Sequence, residues 1–255
     1  YDTEQGLSSD TGVPRPVRPG LDVLPYSIGS VATTSAPSSI AMADLNSDGQ
    51  LDLVTANVGT DRLSVFIQPA SGVFNAAPSS TLSGAGGAVL IDPYSVKAID
   101  VDADGDLDLV SANHGSNNVI VWRQTGGGGF NIVSPASGGL TAPSDVAGAD
   151  LNADGRMDLV VANTGANRAA IFFRSAAGTY PAAPSLSIGD ASTGAPVSVA
   201  LGDLDGDGDI DIVSANQSTN NVTIFYQTAP GVFSATPSVT LGGAGLTDGP
   251  ASVVI

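Results

Sequence analysis

Cysteine is absent from the sequence, which excludes a disulfide framework and any thiolate metal site. Histidine occurs once, and without cysteine this removes most nucleophilic and zinc mechanisms. Basic residues are scarce: 8 Lys and Arg stand against 25 Asp and Glu, for a formal net charge of −17. Nucleic acid and anionic membranes demand a basic footprint, so neither is an expected partner. Apolar runs reach only about four to eight residues, far short of the ~20 that span a bilayer, so no membrane insertion is expected. Lysine and glutamate occur once each, and no segment sustains a helical period, so almost no helix is expected. What fills the chain instead is Gly (32), Pro (16), Ser, Thr, Val and Ala, which is material for strands and turns.

That material is arranged as a repeat. "ADLNSDGQLDLVTAN" (43–57), "IDVDADGDLDLVSAN" (99–113), "ADLNADGRMDLVVAN" (149–163) and "GDLDGDGDIDIVSAN" (202–216) are one motif written four times. The leading aspartates Asp44, Asp100, Asp150 and Asp203 are separated by 56, 50 and 53 residues. Pro37, Pro93, Pro143 and Pro196 each stand seven residues before them. Downstream lie two aromatics eight residues apart: Phe66 and Phe74, Trp122 and Phe130, Phe172 and Tyr180, Phe225 and Phe233. Each unit reads as four short strands, with the aspartate loop between the first two and a polar turn between the next two ("VGTDR", "HGSNN", "TGANR", "QSTNN"). Four strands in about fifty residues is the dimension of a propeller blade. The predicted blades cover about 37–84, 93–140, 143–189 and 196–242, within an all-β region spanning 24–255.

In the pattern D-x-[DN]-x-D-G-x-x-D, side-chain oxygens fall at positions 1, 3, 5 and 9, and the glycine at position 6 permits the turn that wraps them round one point. Oxygen donors without His or Cys suit Ca²⁺. The predicted side-chain ligands are Asp44, Asn46, Asp48 and Asp52; Asp100, Asp102, Asp104 and Asp108; Asp150, Asn152, Asp154 and Asp158; and Asp203, Asp205, Asp207 and Asp211. Position 7 would give its backbone carbonyl, from Gln50, Asp106, Arg156 and Asp209, and its side chain is accordingly free to vary. Merely acidic turns would not keep one spacing four times. An EF-hand needs a Glu at position 12, where this chain has Thr55, Ser111, Val161 and Ser214, and it needs flanking helices. Sixteen of the 25 acidic residues lie in the four loops, and four Ca²⁺ would bring the formal charge from −17 to −9. Folding and metal binding should therefore be coupled. Extracellular modules bind calcium at about 10⁻⁴–10⁻³ M, which fits a secreted or cell-surface location.

The loop, the proline before it, the trailing "DLV-x-AN" and the aromatic pair resemble the FG-GAP or VCBS-type repeat, over about residues 25–255. The resemblance implies a β-propeller of the kind found in integrin α subunits, with one structural Ca²⁺ in each blade's first loop, so about four here. The family spans adhesion modules, lectins and some polysaccharide-acting enzymes, and it speaks to fold more than to function.

Residues 1–23 lie outside the repeat. Their alternating prolines ("VPRPVRPG", with Arg15 and Arg18) predict an extended arm. "LPYSIGS" (24–30) matches a final blade strand, and "GPASVVI" matches a first strand, so 250–255 reads as the start of a further blade. Three arrangements account for this: a longer propeller, strands supplied by a neighbouring subunit, or an open stack of blades.

No catalytic constellation is visible. G-x-S-x-G, P-loop and H-E-x-x-H patterns are missing. His114 sits at a turn position occupied elsewhere by Val58, Thr164 and Gln217, as an incidental loop residue would. Asp61, Asp92, Asp145, Asp190 and Asp248 are dispersed and form no legible glycosidase pair. The repeat-locked aromatics read as inter-blade core, leaving Tyr26, Tyr94, Phe173 and Tyr226 as the better ligand contacts. Asn57, Asn113, Asn163 and Asn216 read as turn caps, and Asn216 and Asn221 begin N-x-[ST] sequons. The expected function is a secreted, calcium-stabilised binding or adhesion module for a protein or glycan, and not an enzyme. The alternatives are a structural protomer of an extracellular fibre, joined to copies of itself through its arm or terminal strands, and a polysaccharide-acting enzyme.

Overall fold

A computed structural model describes residues 27–30, 32–84, 88–243, 245 and 247–255. The arm expected at 1–23, with Arg15 and Arg18, lies outside the described residues, as do Tyr26 and the first part of the strand expected at 24–30. The described residues form four antiparallel four-stranded sheets. Blade 1 is β1 (Pro37–Ala43), β2 (Asp52–Asn57), β3 (Arg62–Phe66) and β4 (Ser80–Leu82). Blade 2 is β5 (Pro93–Ile99), β6 (Asp108–Asn113), β7 (Asn118–Gln124) and β8 (Phe130–Ala136). Blade 3 is β9 (Pro143–Ala149), β10 (Asp158–Asn163), β11 (Arg168–Phe172) and β12 (Leu186–Ile188). Blade 4 is β13 (Pro196–Gly202), β14 (Asp211–Asn216), β15 (Asn221–Phe225) and β18 (Val239–Gly242), with a small hairpin of β16 (Gln227–Ala229) and β17 (Val232–Phe233) between its last two strands. Two single 3₁₀ turns are the helical content of the described residues, none of it long or apolar enough to cross a membrane.

The first strands β1, β5, β9 and β13 pack against one another in chain order. The second strand of each blade is enclosed on both faces: all six residues of β6, β10 and β14 are buried. That is why "DLVSAN" and its copies read as almost continuous apolar and small residues rather than as an alternation. Side chains alternate between two seams. In blade 2, Leu109, Ile120 and Trp122 enter the core shared with blade 1, whereas Val110, Val119 and Val121 enter the core shared with blade 3. A third core, around Leu151, Ile171, Ile212 and Phe225, joins blades 3 and 4.

Hydrogen bonds repeat across these seams as well. Asp61, Asn117, Asn167 and Asn220 follow the second strand with left-handed backbones (φ 51 to 55). Their Oδ1 atoms accept the amides of Asp92 (2.9 Å), Ala142 (2.6 Å), Ala195 (2.7 Å) and Gly249 (2.8 Å), the residues just before the blade prolines. Further along the strands, the Val96 amide donates to Ser39 Oγ, that of Val199 to Asp145 Oδ2, and that of Val253 to Ser198 Oγ. Residues 249–255 thus lie on blade 4 with the hydrogen bonds that a first strand makes to the blade before it.

Candidate metal centres

The four aspartate loops share one scaffold. Each position-9 aspartate opens the second strand and is fully buried. One of its oxygens accepts the position-2 amide: Leu45 to Asp52 (2.9 Å), Val101 to Asp108 (3.0 Å), Leu151 to Asp158 (3.1 Å) and Leu204 to Asp211 (2.9 Å). The other accepts an amide just beyond the third strand or at its end: Gln68 (2.7 Å), Gln124 (2.8 Å), Arg174 (2.8 Å) and Gln227 (2.9 Å). Such charge-assisted bonds are worth about 1.5–3 kcal/mol each. They tie the loop to the blade.

At the turn, the position-1 carboxylate accepts the amide of the position-6 glycine in all four loops. Gly49, Gly105, Gly155 and Gly208 have φ of 84, 92, 80 and 92, a backbone that only glycine adopts freely. Position 5 accepts the position-7 amide throughout: Gln50 on Asp48, Asp106 on Asp104, Arg156 on Asp154 and Asp209 on Asp207.

The loops differ in what converges. Carboxylate oxygens of Asp100, Asp102 and Asp108, and those of Asp203, Asp205 and Asp211, lie within 4.8 Å of one another. Asp104 and Asp207 stand outside these groups. In the first and third loops Asn46 and Asn152 replace the middle carboxylate, so position 3 offers a neutral amide oxygen there. The second loop carries the clearest sign of a cation's place: Asp100 Oδ1 and Asp102 Oδ1 are buried without any hydrogen-bond partner. Buried, unpaired carboxylate oxygens are costly, and an oxygen-seeking divalent ion satisfies them. The residues therefore fit calcium, which Asp100, Asp102 and Asp108 would hold.

Titration shifts follow the same crowding. Burial raises the Asp108 carboxyl above the ordinary range against the two amides it accepts, and the charges of Asp102 and Asp104 raise it further. Burial raises Asp158 too, with Asp154 and Asp150 adding to it. Asp205 rises through desolvation within its turn and then through Asp207.

Two arginines enter the loops. Arg123 Nη1 lies 3.1 Å from Asp102 Oδ2, and the Arg156 guanidinium pairs with Asp154 of its own loop. The first three loops also reach the following blade. Leu45, Val101 and Leu151, at position 2, are at most 3% exposed within the inter-blade cores, whereas Leu204 is 39% exposed. The Val101 carbonyl accepts Arg174 Nη1 of blade 3, and the Leu151 carbonyl accepts the Gly231 amide of blade 4 at 2.7 Å.

Other residues fall differently from their sequence reading. Phe66, Trp122, Phe172 and Phe225 are buried, but of the second aromatic set only Tyr180 is; Phe130 and Phe233 sit at the rim of the core toward the preceding blade. His114 stacks on Tyr94 with ring centroids 4.4 Å apart, so it has a defined place. The four asparagines are buried; Asn57 and Asn163 make no side-chain cap bond to the 3₁₀ turn that follows, but Asn57, Asn113 and Asn216 reach across the turn to the residue five positions on. Asn57 Nδ2 donates to the Thr55 and Arg62 carbonyls, and Asn216 Nδ2 to Asn221 Oδ1 and Thr223 Oγ1. The seam residues Asp61, Asn117, Asn167 and Asn220 were not singled out by sequence reasoning. Their signal was present, since each lies seventeen residues after a leading aspartate.

The FG-GAP-like repeat model matches this sequence over residues 44–111, 100–161, 150–214 and 203–255. No curated protein matches the chain. Among solved structures, a protein from Lactobacillus plantarum is similar at 21% identity and TM-score 0.56, over 84% of this chain and 57% of that one. The periplasmic gluconolactonase PpgL of Pseudomonas aeruginosa is similar at 19% identity and TM-score 0.53, over 82% and 54%. BBS1N, solved in complex with ARL6DN, is similar at 14% identity and TM-score 0.53, over 84% and 58%. At these identities the likeness is one of fold, and the chain spans less than two thirds of each of these structures.

Proposed function

The chain belongs to the FG-GAP-like repeat family, and from that premise we propose that it is part of a calcium-stabilised propeller that acts by binding rather than by catalysis. The buried, unpartnered oxygens of Asp100 and Asp102 carry the calcium half of this reading. The binding half is supported by repeated seams that hold four blades as one scaffold. His114 is taken up by Tyr94, and Asp145 by Lys97 and two serines. A protein ligand is the leading choice, because one similar fold is known in complex with a protein; a glycan is the second. Closure of the blades into a ring, and a secreted or surface location where millimolar calcium is available, belong to the same proposal.

Calorimetric titration of chelator-stripped protein, followed by protein and glycan arrays in millimolar calcium, tests it. Calcium uptake with a rise in melting temperature and calcium-dependent retention of a ligand is expected. Absence of calcium uptake would sink the metal reading. Turnover of a sugar lactone or polysaccharide, lost on changing a carboxylate outside the loops, would replace binding with catalysis.

One observation favours a second reading, a structural protomer. Ile40 and Met42 on the outer flank of blade 1 are 59% and 67% exposed, whereas Val96, Val146 and Val199, at Ile40's place in the other blades, are at most 4% exposed. Electron microscopy in calcium separates the two: discrete particles fit a binding module, and filaments that dissolve on chelation fit a subunit joined flank to flank.

A further inference from the structure

We infer that the four loops are unequal cation sites, that the third is the weakest, and that the seam between blades 3 and 4 is therefore the first to loosen as calcium falls. The inference rests on the calcium reading above. The second and fourth loops carry carboxylates at positions 1, 3, 5, 7 and 9, while the first and third have Asn at position 3 and Gln50 or Arg156 at position 7. Affinity in wrapped calcium loops rises with ligand charge, which separates a stronger pair from a weaker one. In the second and fourth loops the carboxylates at positions 1, 3 and 9 come within 4.8 Å of one another, a charge density that Asn46 and Asn152 reduce in the other two.

Arg156 then separates the weaker two. Its guanidinium pairs with the Asp154 carboxylate, and its Nε donates to the Arg174 carbonyl at 3.0 Å, which holds the positive charge against the loop. The first loop has Gln50 there. The second loop also receives an arginine, Arg123 on Asp102, but it starts with two more carboxylates and keeps two buried oxygens unpaired. A cation entering the third loop meets a resident charge held against one of its own donors.

The consequence reaches beyond the loop. Leu151, at position 2, is fully buried in the core between blades 3 and 4, and its carbonyl accepts the Gly231 amide from the blade 4 hairpin. Ordering of the third loop is thus ordering of that seam.

Native mass spectrometry and hydrogen exchange on the full chain across a calcium titration test this. One ion should fill last, and the Gly231 amide of the hairpin should gain protection with it, after the Val101 and Gln124 amides that Asp108 of the second loop holds. R156Q should tighten the last site about tenfold, the scale of removing one nearby, partly screened charge, and should move the hairpin's protection to lower calcium. R156K, which keeps the charge, should not. If R156Q does not fold, N152D, which adds a carboxylate to the same loop, should tighten the same site. Four equal sites, or R156K acting like R156Q, would overturn the inference and leave the calcium reading standing. Absence of calcium binding would overturn both.

Discussion

Lys97 Nζ lies 3.3 Å from Asp145 Oδ1, which joins the only lysine of the chain to a buried carboxylate on the neighbouring blade. Asp145 stands where the other blades have Ser39, Ser95 and Ser198. It accepts Ser95 Oγ from blade 2 (2.8 Å), Ser198 Oγ (3.0 Å) and the Val199 amide (3.1 Å) from blade 4, and the Val146 amide of its own strand. One side chain therefore links three blades.

D145N should destabilise the protein by about 2–4 kcal/mol, because an amide nitrogen faces donors and a buried network loses its charge. K97A should cost under about 1 kcal/mol, since the lysine is half exposed and water screens the pair. Urea unfolding of both single variants and the double variant measures the split. A K97A cost equal to that of D145N would place the energy in the ion pair instead.

The seam bond from the Ala195 amide to Asn167 Oδ1 makes a graded prediction. N167D, the residue type found at Asp61, should be near neutral. N167G should lose the acceptor at a cost of about 1 kcal/mol, and N167A should cost roughly 1 kcal/mol more because alanine is strained at φ 55. Thermal or urea unfolding that ranked alanine above glycine would contradict the role given to this turn.

Asp190 provides a pH test away from the loops. The Ser192 hydroxyl (2.6 Å) and then the Ser192 amide (2.8 Å) hold its carboxyl below the ordinary range. A folded pKa lower than the unfolded one contributes stability above the unfolded pKa, and that contribution disappears as pH falls through the folded value. The stability gap between wild type and D190N should therefore be present near neutrality and close in acid, below about pH 4. A gap that widened in acid would have the wrong sign.

Both sequons are closed by the fold. Asn216 is 0% and Asn221 5% exposed, and their side chains bond each other at 2.9 Å. Native protein secreted from a glycosylating host should carry no glycan at either position by intact mass, and N216Q should destabilise it.

Blade count, strand order and loop positions were legible because they repeat: four copies of one spacing reveal a unit that a single copy would not. The aspartate loops were legible for a second reason, since their turn needs glycine at position 6 and their buried position-9 aspartate holds the loop's backbone amide. Asp145 was not legible, because its partners come from three blades and lie about fifty residues away in either direction. Lys97 stands three residues before Asp100 but reaches sideways to Asp145 on blade 3, a pairing that proximity along the chain does not announce. The seam residues were hidden in plain composition, as Asn and Asp in a turn already have an ordinary explanation.

Because every seam uses the same few contacts between immediate neighbours, a whole blade could be copied or deleted by recombination between equivalent codons, and the new junction would resemble the old ones. Blade 3 is the exception. Its aspartate is matched to a lysine on one side and a serine on the other, so a gene that shuffled this blade would separate a charge from its partner.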